Sequence, residues 1–302
     1  MEAKHAIFSV AFALVLTVGR VVCSRSARLR DACAFLLVFG TTRTDMLDIN
    51  FLSREWYRGT TRGIEVSWVD LIWILLLASL PRNERKNAWL PGLGPMFVFF
   101  AYNALIVAYS DPAIFGLFEL SNMLRHIFVF VTMARYVKGD RELSIIAWAL
   151  SLAVAYEFLY ALRCRFFWKQ PRVQGSFAHC NVLSMYELMA IPMMATVAAS
   201  DASRALRRTC AVAALLGVAT LLLTVSRGGI VTLTMVGIFL LFACGSLREM
   251  TVRHACIGVS IASILGVLVA ANYDNFNARF EAEGFDKEYG GPVWEGRGPT
   301  SY

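Results

Sequence analysis

The sequence predicts an all-α integral membrane protein that crosses the membrane about ten times. Two observations lead to this fold class. Of the 302 residues, 57% are hydrophobic and 17% are charged, whereas soluble domains average roughly 45–50% and 25%. Apolar runs of about the length of a membrane span also recur along most of the chain. This composition excludes a disordered protein. It disfavours a soluble domain and a nucleic-acid-binding protein, although the net charge is +7.

Ten apolar runs define the predicted spans. They are 5–23, 32–48, 65–80, 93–109, 115–134, 143–162, 182–199, 209–225, 228–246 and 255–271. The first run is expected to stay as a span, because no small-residue cleavage pattern of a signal peptide follows it. The stretch 209–247 is nearly twice the length of one span and is interrupted only at residues 226–229. It predicts two helices joined by a tight turn, at which Gly228 and Gly229 permit unusual backbone angles.

The orientation of the spans follows from positive charge, because short cytoplasmic loops carry an excess of Lys and Arg. Every loop that follows an odd-numbered span is basic, beginning with Arg25, Arg28 and Arg30 after the first. These loops are predicted to be cytoplasmic, which places both termini in the periplasm. The predicted organisation is a transmembrane helical domain over residues 1–271 and a periplasmic tail over residues 272–302.

Arginines on the predicted periplasmic side need a separate explanation, since such charges hinder translocation. They occur in loop 49–64, in loop 163–180 and at Arg227. Guanidinium groups match phosphate oxygens in a bidentate way, so these segments indicate a site for a multiply charged anion such as a pyrophosphate-linked lipid. The alternative is that the arginines snorkel beside aromatic residues such as Trp168 and bind ordinary phospholipid head groups.

Ionisable residues within predicted spans usually face the helix bundle and pair there. Glu119 and Arg125 share the fifth run and are predicted to lie within pairing distance. Glu157 lies in the sixth run and Glu187 in the seventh. For these residues, an internal pair that fixes helix packing and a functional role are equally open interpretations.

Few other patterns indicate chemistry. The sequence has no nucleotide-binding loop, no zinc-spaced Cys and His cluster and no GxSxG motif, so no metal site is predicted. Of the four histidines, His179 is set among polar residues on the predicted outer face. Cys164 and Cys180 flank the same polar loop, and they can form a disulfide if that loop faces an oxidising compartment.

Three short stretches carry a family resemblance. Residues 175–181 read GSFAHCN and residues 223–229 read LTVSRGG. They resemble the G-[ST]-F-x-H-x-N signature and the T-x-S-R-G stretch of the O-antigen ligase and O-antigen polymerase family. Residues 55–65, EWYRGTTRGIE, look like the first outer loop of an exopolysaccharide branch of that family. The resemblance covers the chain from about residue 49 to residue 280.

The resemblance implies a C-type glycosyltransferase of the bacterial inner membrane. It would transfer or polymerise a glycan from an undecaprenyl-pyrophosphate donor to a glycan or lipid acceptor, in O-antigen or exopolysaccharide biosynthesis. No cofactor and no metal is implied, and the other partners are membrane lipids rather than nucleic acid. The catalytic candidates carried over onto this sequence are Arg227, His179 and Arg172. The substrate-binding candidates are Arg58, Arg62, Asn181, Ser226, Glu65 and Glu187.

Two other interpretations stay open. A transporter or flippase for an anionic lipid-linked substrate would explain the outer arginines and the buried charges equally well. It would also predict inverted repeats, and the sequence shows no matching partner for the interrupted run 209–247. Family members usually continue through a large periplasmic loop into further spans, whereas about 30 residues follow Asn272 here. A shortened, inactive family member is therefore the third interpretation.

Overall fold

A computed structural model of the chain describes residues 3–42, 49–53, 63–81, 90–170 and 172–244. In these ranges the chain is mostly helical, and helices occupy nine of the ten predicted apolar runs. The tenth run, 255–271, and the predicted tail, 272–302, lie outside the described residues.

Ten α-helices and two π-helical segments form the helical part of the described ranges. The helices are α1 (Ala3–Leu14), α2 (Arg20–Arg25), α3 (Ala27–Gly40), α4 (Trp68–Ser79), α5 (Leu93–Ala108), α6 (Ala113–Tyr136), α7 (Asp140–Leu162), α8 (Cys180–Ala199), α9 (Arg204–Leu223) and α10 (Arg227–Cys244). One π-helical segment, Val15–Gly19, joins α1 to α2, and the other, Arg163–Phe167, extends α7.

Five helical stretches of the described chain are long and apolar enough to cross a membrane. They are Phe8–Arg25, Ala113–Tyr136, Asp140–Phe167, Cys180–Ala199 and Arg204–Leu223. Three shorter apolar helices accompany them. The prediction of a helical membrane protein is therefore confirmed, while ten spans and their orientation stay predictions.

The chain divides into two compact units. The first comprises Met1–Ala153 and Ala202–Leu206, and the second comprises Val154–Asp201 and Arg207–Tyr302. The division falls within α7 and α9, so each of these helices contributes residues to both units.

A β-hairpin in the first unit departs from the all-α prediction. β1 (Ile49–Ser53) and β2 (Gly63–Val66) pair in an antiparallel arrangement, with Ile49 opposite Val66. Residues 49–64 were predicted to form a loop because of their charged residues. Both arms also contain β-branched or aromatic residues, which favour strands, and pairing satisfies their backbone N–H and C=O groups. Residues 54–62 between the strands lie outside the described residues.

A buried carboxylate ties β2 to helices of the first unit. Asp70 on α4 accepts a hydrogen bond from the N–H of Ser67 at 2.7 Å. Its other oxygen lies 3.0 Å from Nε of Arg125 on α6. Arg125 also donates to the backbone carbonyl of Glu65 on β2. Arg125 thus pairs with an aspartate that the sequence analysis did not single out, and the predicted pairing with Glu119 stays a prediction.

The stretch 209–247 contains two helices, as predicted, but the glycines do not make the turn between them. α9 ends at Leu223 and α10 begins at Arg227. Within the turn it is Val225 that has a positive φ, of 52°. A non-glycine residue in this region costs about 1–3 kcal/mol, so the buried surroundings of Val225 must hold it there. Gly228 and Gly229 lie in the first turn of α10, and the prediction that they provide the unusual backbone angles is wrong.

The core of the second unit packs the segment that precedes α8 against α7 and α9. Val173 and Leu183 are fully buried and cluster with Cys164 and Leu223. The N–H of Val173 donates to the carbonyl of Leu223 at 3.3 Å. Cys164 and Cys180 are both free thiols, so the disulfide that the sequence left open is not formed.

Candidate functional site

Residues of two sequence motifs contact each other where α8 and α10 begin. Ser226 Oγ donates a hydrogen bond to Asn181 Oδ1 at 3.3 Å, although 45 residues separate them. Arg172 Nη2 donates to the same oxygen at 3.4 Å. Asn181 therefore links the loop that precedes α8 to the turn that precedes α10.

α8 begins at Cys180 because His179 caps it. His179 has an extended backbone, with φ −149° and ψ 142°. Its Nδ1 accepts a hydrogen bond from the N–H of Asn181 at 3.1 Å, which pairs one of the N–H groups that every helix start leaves free. Since Nδ1 is an acceptor, the proton of a neutral His179 ring lies on Nε2, and Nε2 can then donate a hydrogen bond.

Ser226 caps α10 in a similar way. Its Oγ accepts a hydrogen bond from the N–H of Gly229 at 3.3 Å, and its own N–H donates to Thr224 Oγ1 at 3.2 Å. A serine cap of this kind contributes about 0.5–2 kcal/mol. Helix N-termini carry partial positive charge, and the hydrogen bond between Ser226 and Asn181 brings two of them together.

Gly229 allows the close approach of α10 to α8. A Cβ atom built on Gly229 would overlap Oγ of Ser184 on α8 and would lie 3.3 Å from Cβ of Ser184 and from Cβ of Ser226, so a side chain here would displace the hydroxyl or the helix. A Cβ atom built on Gly228 would meet no atom within 4 Å. Packing therefore disfavours a side chain at position 229 and leaves room for one at position 228.

A cavity of about 420 Å³ lies between α8 and α10 beside this contact. Asn181, Ser184 and Ser226 contribute polar atoms to its wall, and Met185 and Leu188 contribute apolar ones. Ser184 is 1% exposed, and its Oγ has no hydrogen-bond partner among the described residues. An unpaired buried hydroxyl costs about 1–3 kcal/mol.

Among the described residues of the second unit, two buried carboxyl groups differ in their surroundings. Glu157 on α7 accepts hydrogen bonds from the N–H of Ser176 at 3.0 Å and from its hydroxyl. Neither oxygen of the fully buried Glu187 has a hydrogen-bond partner among the described residues. One of them lies 2.8 Å from where a Cβ on Gly217 of α9 would be. Glu187 therefore lies against α9, and it does not line the cavity between α8 and α10.

The cations of loop 163–180 have different partners. The guanidinium of Arg163 lies 4.9 Å from the ring centre of Trp168, and Arg165 donates to a backbone carbonyl of its own segment at 3.2 Å. The contact of Arg163 matches the alternative in which outer arginines lie beside aromatic residues. Arg172 instead contacts Asn181, so the structure connects this cation to the site.

The other sequence candidates are described to different extents. The backbone of Arg227 begins α10, and its side chain lies outside the described part of the chain. Arg58 and Arg62 also lie outside it. Glu65 lies on β2 in the first unit. The structure thus brings together four of the candidates, which are Arg172, His179, Asn181 and Ser226.

The sequence analysis did not identify Ser184. A serine in an apolar helix usually hydrogen-bonds to the preceding turn of its own helix, so nothing in the local pattern distinguishes this one. Gly229 is easier to notice in the sequence, because it is one of the glycines that interrupt the long apolar stretch 209–247. No group of three His, Cys, Asp or Glu side chains in the described ranges could hold a metal ion.

Within the part of the chain that the structure describes, the fold is that of a helical membrane protein with five helices suited to crossing the bilayer. Comparisons with protein-family models, curated proteins and solved structures give no significant match. The family resemblance therefore rests on the motif residues, several of which the structure brings into contact.

Proposed function

We propose that the protein is a bacterial inner-membrane glycosyltransferase. Its donor is a glycan linked to undecaprenyl pyrophosphate, and transfer or polymerisation takes place on the periplasmic face. The observation that carries the proposal is the convergence of the N-termini of α8 and α10 on Asn181 and Ser226, beside a cavity with an unpaired hydroxyl.

The chemistry of this convergence favours an anion. The N-terminus of a helix attracts phosphate through its free N–H groups and its partial positive charge. Two such ends meet here, Arg172 lies at the same point, and Arg227 is the first residue of α10. A pyrophosphate carries more charge than one helix end neutralises, so it is a better match for this site than a singly charged phospholipid head group.

The reaction requires stabilisation of a leaving pyrophosphate. The bond between the anomeric carbon of the donor glycan and the pyrophosphate oxygen breaks, and a bond from that carbon to an acceptor hydroxyl oxygen forms. The hydroxyl proton passes to water, and the electron pair of the broken bond remains on the pyrophosphate. Arg172 and Arg227 are assigned to stabilise this charge.

His179 is assigned a role as a hydrogen-bond donor. Its Nδ1 is occupied by the N–H of Asn181, and Nε2 of the neutral ring bears the proton. A general base must have a free nitrogen to accept a proton. His179 in this arrangement therefore binds and orients a phosphate oxygen, rather than abstracting the proton of the acceptor hydroxyl.

The cavity between α8 and α10 is assigned to bind the lipid part of the donor. Its apolar side chains, Met185 and Leu188, lie one and two turns along α8 from Asn181. Binding sites for amphipathic ligands combine such apolar walls with a few polar groups that fix orientation. We assign this wall to the first isoprenoid units of the undecaprenyl chain.

Deletion of the gene tests the proposed function. We expect undecaprenyl-linked glycan units to accumulate on the periplasmic leaflet and surface polymer to be lost, because the step that consumes these units is blocked. Complementation with the unaltered gene or with Asn103→Ala, which changes an asparagine that bonds within its own helix, should restore the polymer. Asn181→Ala should not. Accumulation on the cytoplasmic leaflet would contradict transfer and identify a transporter.

A further inference from the structure

The segment that connects α7 to the candidate site is held by a carboxylate. Glu157 is fully buried and accepts two hydrogen bonds from Ser176, one from its N–H at 3.0 Å and one from its hydroxyl. Ser176 lies three residues before His179, the cap of α8. The two contacts therefore fix the chain shortly before it reaches the site.

The backbone beside this contact is adapted to it. Gly175 has φ +62°, in the left-handed region that glycine adopts without a steric penalty. A Cβ atom at this position would also lie 2.5 Å from Glu157 Oε2, so a side chain would displace the carboxylate. Both the conformation and the space at Gly175 thus serve the contact between Glu157 and Ser176.

We propose that Glu157 is a positioning residue for the candidate site. By holding Ser176 it fixes the segment that places His179 and Asn181. A fully buried carboxyl group has a strong requirement to keep its hydrogen bonds, because their loss would leave its oxygens without partners. Glu157 does not line the cavity between α8 and α10, so it acts through the segment. The reaction that this positioning serves rests on the proposed function.

Cys180 reports the state of this segment without any measurement of activity. It follows His179 directly, and its side chain is 6% exposed. Release of the segment would remove the cap from α8 and open the first turn of that helix. The Cys180 thiol would then react faster with a small alkylating reagent.

The test measures the alkylation of Cys180 by N-ethylmaleimide in the full chain, quantified by mass spectrometry of the peptide that contains it. Glu157→Ala should raise the rate about tenfold or more, because it removes both bonds to Ser176. Glu157→Gln keeps an acceptor oxygen for the Ser176 N–H and should stay within about threefold of the unaltered protein. The matched control is Glu142→Ala, which removes another α7 carboxylate that accepts a backbone N–H, that of Gly139 at 3.1 Å. It should leave the rate unchanged.

A milder variant keeps the test decisive if Glu157→Ala does not fold. Ser176→Ala removes the hydroxyl and retains the N–H, and it should raise the rate about two- to fivefold. In a transfer assay, Glu157→Ala should raise KM and lower kcat together, and Glu157→Gln should recover most of both. Unchanged alkylation in folded Glu157→Ala and Ser176→Ala would overturn the role of Glu157 and leave the proposed function in place. An unaltered protein that transfers no glycan would overturn the proposed function and leave the alkylation result in place.

Discussion

Gly229→Ala is expected to abolish glycan transfer and to destabilise the second unit. The added methyl group overlaps Ser184 Oγ, and it would lie 3.3 Å from Ser184 Cβ and from Ser226 Cβ, so we expect α10 to move away from α8. Overpacking of this kind costs about 1–3 kcal/mol, and the shift breaks the 3.3 Å hydrogen bond between Ser226 and Asn181. The measurements are thermal unfolding of the full chain and transfer from a lipid-linked glycan donor.

Two further variants make this prediction specific. Gly228→Ala adds the same methyl group on the wall of the cavity, where no atom lies within 4 Å, so the free energy of unfolding should stay unchanged or rise by up to about 1 kcal/mol. Ser184→Ala combined with Gly229→Ala removes the overlapping oxygen and should restore part of the stability. If Gly229→Ala behaved like Gly228→Ala, the close packing of α8 and α10 would not be a requirement of the site.

Arg227→Lys is expected to lower kcat/KM by about 10²- to 10³-fold, the effect of removing one donor from a site that stabilises developing negative charge. Lysine keeps the positive charge but loses the planar fork that binds two phosphate oxygens together. The free energy of unfolding should change by less than about 0.5 kcal/mol, because lysine keeps the positive charge and has nearly the same helix propensity as arginine. Both quantities are measured on the purified full chain.

Arg208→Lys is the matched control for Arg227→Lys. Arg208 is an exposed residue near the start of α9, at an end of the helix that the charge pattern predicts to be cytoplasmic, so its replacement should leave kcat/KM unchanged. Full activity in Arg227→Lys would remove the bidentate role assigned to Arg227. Equal losses in the two variants would show that the assay responds to the replacement of any arginine by lysine.

Hydrophobicity predicted most of the helices but not the strands. Continuous apolar runs leave few alternatives to helices, which is why α4 to α10 follow the predicted runs closely. Charge dominated the interpretation of loop 49–64 and hid the β-branched residues that pair in β1 and β2. The partner of Arg125 was also missed, because an aspartate at the start of a span resembles a residue at the membrane surface, whereas Asp70 is buried.

The candidate site was predictable as a set of residues but not as a geometry. Nothing in the local sequence joins Asn181 to Ser226, since 45 residues and two helix lengths separate them, and only the family resemblance placed them together. The capping role of His179 depends on where α8 begins, which periodicity locates only to within a few residues. The backbone angle of Val225 contradicts its own conformational preference and follows from tertiary packing.

The central claim is that the converging starts of α8 and α10 bind a lipid-linked pyrophosphate. Its most direct test is a titration of the full chain in nanodiscs with undecaprenyl pyrophosphate and with undecaprenyl monophosphate. We expect the pyrophosphate to bind at least about tenfold more tightly, a difference of about 1.4 kcal/mol. Asn181→Ala should abolish this preference, and Asn103→Ala should retain it. Equal affinity for the two lipids, or a preference that survives Asn181→Ala, would contradict the claim.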